Sequence, residues 1–583
     1  MQSLWRVYHP RVGHVQVVTL LALLLLVPLS SCNTPSPPPL FTSLNLGIPD
    51  AALHSPVKGP LPDATELNVG ITFKIDPKLL DSAAQQKIQP GQPSKLEQFA
   101  NRIGISDSTY QKIKGFFNLS GIALKLSKLR THLGIHAKAS TLAKVLQTKF
   151  VIHDYKGRTF FAPATPPKVP TFLASSIDAI TGLDNYSAPP IHALSMQFNK
   201  PLRSSTNRTG GHATQDCNAD PQTLFPSDIA TAYGYNTLLN RGISGQNMTI
   251  NLVEVDGSYR SDIQNYLSCV GYKGHLSFTD IDYSPTQALG ESTLDVQMVA
   301  GLAPDANIAV YQTDGNANDD TWAQVNDALQ QIIDDNTNNA SAGSVVSISL
   351  GMDEADMASS DVTAIDSSLR QLTQVEHMTV FIASGDCGAF ANRIYGDLSV
   401  SFPASDPWAV AVGGTVLSVN SSQQRVNEVA WSDNSNQSRC NNSWGSGGGN
   451  SAMFRRTGWQ NANGVNNRYA QNRRQVPDVS AVAYGLAVYF QGQWGDVGGT
   501  SAAAPIWAAG QALVNEDTIH RLHTYGYSPQ LFYTVANKGG NSYFDVTRGN
   551  NLYYPAAPGW DFATGLGTPN LANFDNAVAS TVG

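Results

Sequence analysis

The sequence predicts an α/β protein, in which a large domain with a doubly wound parallel sheet follows a small α+β domain. From Leu224 onward, apolar strand-like runs alternate with helical stretches. Continuously apolar strands are typical of a parallel sheet whose two faces are covered by helices. A turn-rich segment without apolar periodicity, residues 199–223, separates this region from the mixed pattern before it. The 583 residues are enough for both domains.

The composition is that of a lightly charged globular protein. Hydrophobic residues make up 42% of the chain and charged residues only 14%, which fits a large core. The 37 Lys and Arg against 45 Asp and Glu give a net charge of -8. This balance argues against nucleic acid as the main partner.

Residues 1–32 have the pattern of an export signal. Arg6 and Arg11 precede an apolar stretch, residues 15–29, that is shorter than the ~20 residues a membrane-spanning helix needs. The small residues before Cys32 resemble a bacterial lipobox, whose cysteine becomes a lipidated N-terminus; the alternative is a plain secretory signal. With a Pro/Ser-rich tether over residues 33–60, we expect a secreted protein, or one that contacts the outer face of the membrane only through Cys32.

The small domain is predicted over residues 61–198. A strand-like run covers residues 66–73, helical patterns follow near 95–103 and 106–118, and a hairpin is expected around Lys156-Gly157. Residues 112–149 are rich in lysine, whereas the chain further on is rich in acids. This contrast indicates either an intramolecular partner or a solvated helical face.

The large domain is predicted over residues 224–583. Active sites in sheets of this kind lie at the carboxyl ends of the strands. Strands are expected at residues 248–255, 308–312, 345–350, 380–383 and 409–412, and helices near 261–269, 291–300, 322–334 and 362–375.

Four of the five cysteines follow the export signal: Cys217, Cys269, Cys387 and Cys440. Their spacing contains no Cys-x-x-Cys metal motif, and an even number in an oxidising compartment allows two disulfides. Three pairings are possible, of which Cys217–Cys269 with Cys387–Cys440 is favoured.

Gly499-Thr-Ser-Ala-Ala-Ala-Pro505 places a serine where a buried helix should begin. The Ser501 hydroxyl would then be accessible, with the free N–H groups and positive end of the helix facing any oxyanion formed there. Pro505 is expected within the first turn, where no N–H bond is lost. The alternative is an ordinary N-cap serine.

Three carboxylates are candidates for helping this serine. Glu291 and Asp295 are four residues apart, so they share one helical face; if buried together they would share a proton, which would allow one to act as a base. Asp386 directly follows an apolar strand, where a protonated carboxyl could donate a hydrogen bond to an oxyanion. The alternatives are solvated surface acids and an Asx-turn.

In this order, Glu291, Asp295, Asp386 and Ser501 resemble the site residues of the sedolisins, or serine-carboxyl peptidases, and most closely those of the kumamolisin branch. The resemblance covers essentially everything after Leu224 and implies a subtilisin-like sheet. The earlier domain resembles the family's ferredoxin-like activation prodomain. Further shared motifs are Gly301-Leu-Ala-Pro304, Ser347-Ile-Ser-Leu-Gly351, Phe402-Pro-Ala-Ser405, Val412-Gly-Gly-Thr415, Ser446-Gly-Gly-Gly449 and Val476-Pro-Asp-Val-Ser480.

The resemblance implies a role for each candidate. Ser501 would be the nucleophile, Glu291 the general base, Asp295 the carboxylate that orients Glu291, and Asp386 the oxyanion donor. The expected protein is a monomeric acid endopeptidase that acts on peptides or unfolded proteins and is made as a self-processing precursor inhibited by its own prodomain.

A fifth acid also has a counterpart in the family. Glu254 matches a glutamate that extends the proton network in some members. Leu350 stands where its tryptophan partner is usual, which leaves the extension open.

The C-terminal segment resembles the family's calcium loop. The resemblance implies one structural Ca²⁺, held by the side chains of Asp545 and Asp561 and the carbonyls of Val546, Ala557 and Gly559. Carboxylates and carbonyls on irregular segments are the oxygen ligands that Ca²⁺ prefers. The alternative is a pair of turn aspartates.

Two other functions compete with the acid peptidase. A subtilisin-type protease needs a histidine base, but none of the 12 histidines lies in a His-Gly-Thr-His run, and Gly290-Glu291 stands in that place. A catalytically silent surface lipoprotein would use the fold as a binding module. Every candidate catalytic position carries a chemically competent residue, which favours the enzyme.

Overall fold

The computed structural model describes residues 40–85, 96–118, 121–187, 217, 219, 223–315, 320–336, 344–391, 396–433, 443–521, 523 and 526–582. The predicted export signal with Cys32, residues 33–39 of the tether, most of the 199–223 linker and Cys440 lie outside these ranges. Phe41–Gly583 forms one compact unit.

The small domain consists of short helices and antiparallel strands. Its strands are β1 (Phe41–Ser43), β2 (Val57–Pro60), β3 (Glu66–Phe73), β4 (Ala123–Leu126), β5 (His132–Lys138), β6 (Phe150–Tyr155), β7 (Arg158–Pro163), β8 (Lys168–Pro170) and β9 (Ile177–Thr181). Its helices are α1 (Asp50–Leu53), α2 (Pro77–Ala84), α3 (Leu96–Ile103), α4 (Asp107–Phe116), α5 (Ala139–Val145) and α6 (Thr171–Ala174).

The main sheet of this domain has the order β4-β5-β3-β9, with every pairing antiparallel. Of the four strands of this sheet, the first in chain order, β3, is thus flanked by the third, β5, and the fourth, β9, which is the ferredoxin-like arrangement. The predicted hairpin is present as β6 and β7, with Lys156 and Gly157 at the turn in left-handed conformations. The strand expected at residues 66–73 is β3.

Residues 41–60 belong to the small domain rather than to a free tether. β1 pairs with β8 and β2 pairs with β6, in both cases antiparallel. Leu46, Ile48 and Ala52 are buried in the core of this domain. The structured part of the chain therefore begins earlier than the composition of this stretch indicates.

The large domain has a parallel sheet with helices on both faces. Its strands are β10 (Thr249–Glu254), β11 (Leu276–Asp280), β12 (Asn307–Gln312), β13 (Val345–Ile348), β14 (Met352–Asp353), β15 (Thr379–Ala383), β16 (Ser401–Phe402), β17 (Val410–Val419), β18 (Arg425–Ala430), β19 (Gly449–Arg455), β20 (Arg473–Val476), β21 (Val479–Val482), β22 (Leu486–Phe490), β23 (Gln493–Val497), β24 (Tyr543–Phe544) and β25 (Thr568–Pro569). Its helices are α7 (Pro226–Ala232), α8 (Tyr235–Leu239), α9 (Arg260–Val270), α10 (Glu291–Leu302), α11 (Thr321–Asn336), α12 (Ser359–Gln374), α13 (Thr500–His520), α14 (Pro529–Lys538) and α15 (Leu571–Val582).

The central sheet has the order β11-β12-β10-β13-β15-β17-β18, and β21 also pairs with β17. All of these pairings are parallel except that of β17 with β18. One hydrophobic core lies between the sheet and α10 and α13, and a second lies beneath α11 and α12. The predicted doubly wound α/β class is therefore confirmed.

The small domain packs on the face of the large domain that carries α11 and α12. Asp334 Oδ1 accepts a hydrogen bond of 2.7 Å from the Lys128 main chain, and the His132 imidazole lies 2.7 Å from Asp327 Oδ1. Lys125 Nζ donates to Gln331 at 2.6 Å. The lysine-rich stretch thus meets an acidic surface of the same chain, as the intramolecular interpretation expected.

A disulfide joins Cys217 to Cys269, with a Cα–Cα distance of 5.7 Å. This confirms the first of the two favoured pairs. Cys387 is also disulfide-bonded, while its expected partner, Cys440, lies outside the described residues. In the part of the chain that the structure describes, no helix combines the length and apolar character needed to cross a membrane.

Candidate active site

Three neighbouring strands of the central sheet deliver polar side chains to the same edge. Glu254 is the last residue of β10, Ser349 directly follows β13, and Asp386 is the third residue after β15. Because these strands are parallel and adjacent, their carboxyl ends meet at one edge of the sheet. These candidate residues therefore lie at the carboxyl-end edge of the sheet, where the sequence pattern predicted them.

Helix α10 brings in the two carboxylates predicted to share a face. Gly290 precedes the helix with φ of 110°, a left-handed conformation that suits glycine, and Glu291 is the first helical residue. Asp295 lies one turn later and is fully buried, while Glu291 is only partly exposed. The solvated-surface alternative is therefore wrong for this pair.

Burial and mutual repulsion hold protons on this carboxylate cluster. The pKa of Glu291 is raised well above its usual value by burial, then by the charges of Asp295 and Asp256. The Ser501 hydroxyl lies near enough to oppose this rise in pKa. Among described groups, however, neither Ser501 Oγ nor Glu291 Oε1 makes a hydrogen bond of good geometry.

Asp295 connects Glu291 to the interior. Its Oδ2 accepts a 2.6 Å hydrogen bond from the Ser349 hydroxyl, which opposes the rise in the pKa of Asp295 that burial causes. Glu254 is also buried, and its pKa is raised well above the usual value by burial and then by the charge of Asp295. The charge of Glu254 is thus coupled to that of Asp295, while Leu350 is a buried apolar residue whose side chain has no hydrogen-bond donor.

Helix α13 supplies the serine. Gly499 precedes it with φ of 148°, and Ser501 is its second residue, with only 2% of its surface exposed. The helix starts at Thr500, so Pro505 is its sixth residue. The expectation that Pro505 lies within the first turn is therefore wrong. Pro505 cannot donate to the Ser501 carbonyl, and the Ser349 hydroxyl lies 3.1 Å from that oxygen instead.

Asp386 is held against the start of the same helix. Its Oδ1 accepts two hydrogen bonds of 2.7 Å, from the main-chain N–H and the hydroxyl of Thr500. A Cβ atom at Gly499 would lie 3.0 Å from Asp386 Oδ2, so the glycine keeps this approach open. Asp386 therefore does more than stabilise its own turn.

The Ser446-Gly-Gly-Gly449 motif supports the loop that carries Asp386. Gly447 N–H donates to the Gly385 carbonyl at 2.7 Å, and Gly445 N–H donates to the Asp386 carbonyl at 2.9 Å. A Cβ atom at Gly447 would lie 2.0 Å from the Ser384 carbonyl oxygen. Only glycine allows this close contact, which fixes the loop beside Ser501.

The assembled groups can carry out acyl transfer to a serine. A buried hydroxyl lies between a carboxylate cluster on α10 and a second carboxyl group that is fixed to the start of α13. Asp256, Ser349 and Thr500 hold these groups in place, although none of them is among the candidates predicted from the sequence. Asp256 is the second residue after β10, Ser349 is the first after β13, and Thr500 precedes Ser501; these positions are the signal that could have found them.

The predicted calcium ligands lie on two adjoining loops. Asp545 Oδ2 accepts a 2.8 Å hydrogen bond from Gly559 N–H, and Asp561 Oδ2 accepts one of 2.8 Å from Ala557 N–H. Val546 follows Asp545 directly and is buried. The described residues contain no group of three or more His, Cys, Asp or Glu side chains arranged so that they could hold a metal ion, so main-chain carbonyls would have to complete a site here.

Comparison with known families identifies both domains. Residues 56–186 match the pro-kumamolisin activation domain, and residues 283–530 match the subtilase family. The first match falls on the ferredoxin-like domain. The second contains the four proposed catalytic residues.

Two relatives match along most of their length. Sedolisin from Pseudomonas sp. (strain 101) is 26% identical over 546 residues, which cover 88% of this chain and 87% of the relative. Kumamolisin from Bacillus sp. (strain MN-32) is 28% identical over 495 residues, covering 81% and 83%.

A solved structure supports the same assignment. Pseudomonas sedolisin, described as a serine-carboxyl proteinase and complexed with two molecules of pseudo-iodotyrostatin, matches with a TM-score of 0.53 and 29% identity. The match covers 62% of this chain and 99% of that structure. The chain is therefore a peptidase with a pro-kumamolisin-type activation domain ahead of its subtilisin-like domain, and it is similar to the serine-carboxyl peptidases sedolisin and kumamolisin.

Proposed function

We propose that this peptidase is an acid-active endopeptidase that cleaves peptides and unfolded proteins through an acyl-enzyme on Ser501. One observation carries the proposal: the serine lies beside Glu291, in a buried carboxylate cluster, at the helix start to which Asp386 is fixed. No histidine is needed in such a site, because a carboxylate can take the serine proton.

In the acylation step, Ser501 Oγ attacks the carbonyl carbon of the scissile peptide bond while Glu291 takes the hydroxyl proton. Negative charge develops on the carbonyl oxygen, and the Asp386 carboxyl group donates a hydrogen bond to it. Collapse of the tetrahedral intermediate breaks the C–N bond. Glu291 then returns the proton to the leaving amine, so that an ester on Ser501 remains.

In the second half of the reaction, water takes the place of the amine. Glu291 removes a proton from the water, the resulting hydroxide attacks the ester, and the proton returns to Ser501 Oγ as the acid product leaves. Asp295 lies on the same face of α10 as Glu291 and orients its carboxyl group. Asp295 is itself held by a hydrogen bond from the Ser349 hydroxyl. Glu254 extends this proton-sharing network into the interior.

The working pH follows from the donor role of Asp386. Its Oδ1 accepts two hydrogen bonds from Thr500, so the proton needed for donation belongs on Oδ2. A carboxyl group donates only while protonated, and the carboxylate cluster also works with a shared proton. Activity is therefore lost as pH rises and these protons leave.

We expect the wild-type protein to digest an unfolded protein at about pH 3–5 and to lose this activity towards neutral pH. Peptide release is measured across the pH range, with the Ser501→Ala chain as the control for contaminating proteases. An activity optimum at or above neutral pH would rule out a protonated Asp386 as oxyanion donor.

The precursor organisation is part of the proposal. The N-terminal domain would inhibit the enzyme until the chain is cut in the linker at residues 199–223, whose turn-rich composition suits cleavage. We propose that the mature enzyme is monomeric and works outside the cytoplasm, either secreted or held at the membrane by a lipidated Cys32. Detergent phase partitioning of the chain with and without Cys32→Ser tests the anchor.

We also propose one structural Ca²⁺ at the loops after β24 and before β25. The groups present fit such an ion: two carboxylates and nearby main-chain carbonyls give oxygen ligands only. Asp545 and Asp561 contact opposite ends of the segment from Ala557 to Gly559, so a cation between them would join the two loops. The ion would supply stability to this region rather than chemistry at Ser501.

Removing the proposed ion should therefore destabilise the protein. We expect Ca²⁺ to raise the unfolding temperature of the Ser501→Ala chain at pH 5, and Asp545→Asn to remove most of this rise. An ion that binds only the folded protein raises the free energy of unfolding by about 2.7 kcal/mol at a ligand concentration 100 times Kd. Calorimetric titration measures binding directly, with the exposed Asp63→Asn as a control; equal titrations for both variants would contradict the site.

A further inference from the structure

The loop that follows β10 fastens the start of the helix that carries Glu291. Asp256, 4% exposed, accepts hydrogen bonds through Oδ2 from the main-chain N–H groups of Leu289, at 2.8 Å, and Gly290, at 3.0 Å. Its Oδ1 accepts a third, of 3.2 Å, from Ser292 N–H. These three donors lie on both sides of Glu291 in the chain.

Two further contacts join the same loop to the first turn of α10. The hydroxyl groups of Ser258 and Ser292 lie 2.6 Å apart, and Tyr259 N–H donates to Thr293 Oγ1 at 3.1 Å. The main-chain N–H groups at the start of a helix have no partners within the helix. At α10 the residue before the helix is Gly290, which has no side chain to cap it, so the strand-end loop does so.

Asp256 also faces the carboxylates of the proposed active site. Its charge is among the causes that raise the pKa of Glu254, Glu291 and Asp295. Burial raises the pKa of Asp256 itself to about 6, against the effect of the main-chain donors. Its geometric and electrostatic effects thus act on the same helix turn.

We propose that Asp256 is a positioning residue for peptide hydrolysis: by holding the N–H groups on both sides of Glu291, it fixes the Glu291 carboxyl against Ser501. The inference rests on the proposed role of Glu291 as general base. Asp256 touches no reacting atom, so its loss should change the rate of the chemical step more than substrate binding.

The test is Asp256→Asn, which keeps the size of the side chain but replaces one acceptor oxygen by an N–H₂ group facing main-chain donors. We expect kcat to fall about 10–100-fold with KM within about twofold, the consequence of a misplaced base. Variants are converted to the mature form by a trace of tagged wild-type enzyme that is then removed.

Glu516→Gln is a matched control. Glu516 is 2% exposed and also accepts three main-chain hydrogen bonds through one oxygen, from Ser244, Gly245 and Gln246, near the end of α13 remote from Ser501. Glu516→Gln should lower the unfolding temperature while leaving kcat and KM unchanged.

Asp256→Ser is the second test variant at this position. It removes the charge of the side chain and keeps one hydrogen-bond acceptor.

The outcomes separate this inference from the proposed function. If wild-type chain is inactive at acid pH, the proposed function fails first. If wild type is active and both Asp256 variants keep its kcat, only the positioning role is overturned. A loss of kcat shared with Glu516→Gln, or the unfolding of both Asp256 variants, would also overturn it in favour of a purely structural role.

Discussion

Ser501→Ala is expected to lower kcat for peptide hydrolysis by roughly a millionfold, the scale of loss when a catalytic serine is removed from a subtilisin. The reason is that no other group in the site can form the acyl-enzyme. The serine is 2% exposed, and replacing its hydroxyl by hydrogen leaves the buried helix α13 intact. The unfolding temperature should therefore change little.

The variant is first converted to its mature form by a trace of tagged wild-type enzyme, which is then removed. Its hydrolysis of a chromogenic peptide is then measured at acid pH. Ser451→Ala is the matched control, because Ser451 is a buried serine on β19 that hydrogen-bonds Glu354. It should keep the wild-type kcat. Residual activity in Ser501→Ala above one part in a thousand would show that another residue is the nucleophile.

Asp386→Ala is expected to lower kcat by about 10²–10³-fold, the usual effect of removing one oxyanion donor. The substitution also removes the acceptor for the two Thr500 hydrogen bonds, so part of the loss would come from a displaced helix start. KM should change less than kcat, because the charge on the oxygen develops only in the transition state.

Asp386→Asn separates these two effects. Asparagine keeps an oxygen that can accept from Thr500 and carries an N–H₂ donor that does not titrate. We therefore expect a smaller loss than in Asp386→Ala and a shallower decline of activity towards neutral pH. The pH dependence of kcat measures this, and an alanine variant with wild-type kcat would exclude Asp386 from the oxyanion site.

The elements that the sequence predicted well are those with strong local signals. The run 66–73 is strand β3 with the same bounds, and helix α10 begins at Glu291 as expected. In both cases apolar periodicity and the flanking glycine or polar residues lie within the element itself. The four candidate catalytic residues could also be found from the sequence. Each of them lies in a short local motif, and the order of these motifs along the chain carries the resemblance to the sedolisins.

Features that depend on distant partners could not be predicted. Residues 41–60 looked like a tether because their strands pair with partners far along the chain, as Phe41 does with Pro170. The roles of Asp256 and Ser349 follow from the neighbouring positions of β10 and β13, which local pattern does not reveal. Pro505 was placed in the first turn because sequence alone does not locate the start of α13.

Acidifying the full-length precursor while following its mass tests whether Ser501 gives this chain an acid-triggered peptidase activity. We expect the wild-type chain to lose its N-terminal part up to the linker at residues 199–223, whereas the Ser501→Ala chain stays intact under the same conditions. A wild-type chain that remains whole from acid to neutral pH would instead support a catalytically silent binding protein. Equal cleavage of both chains would show that Ser501 is not responsible.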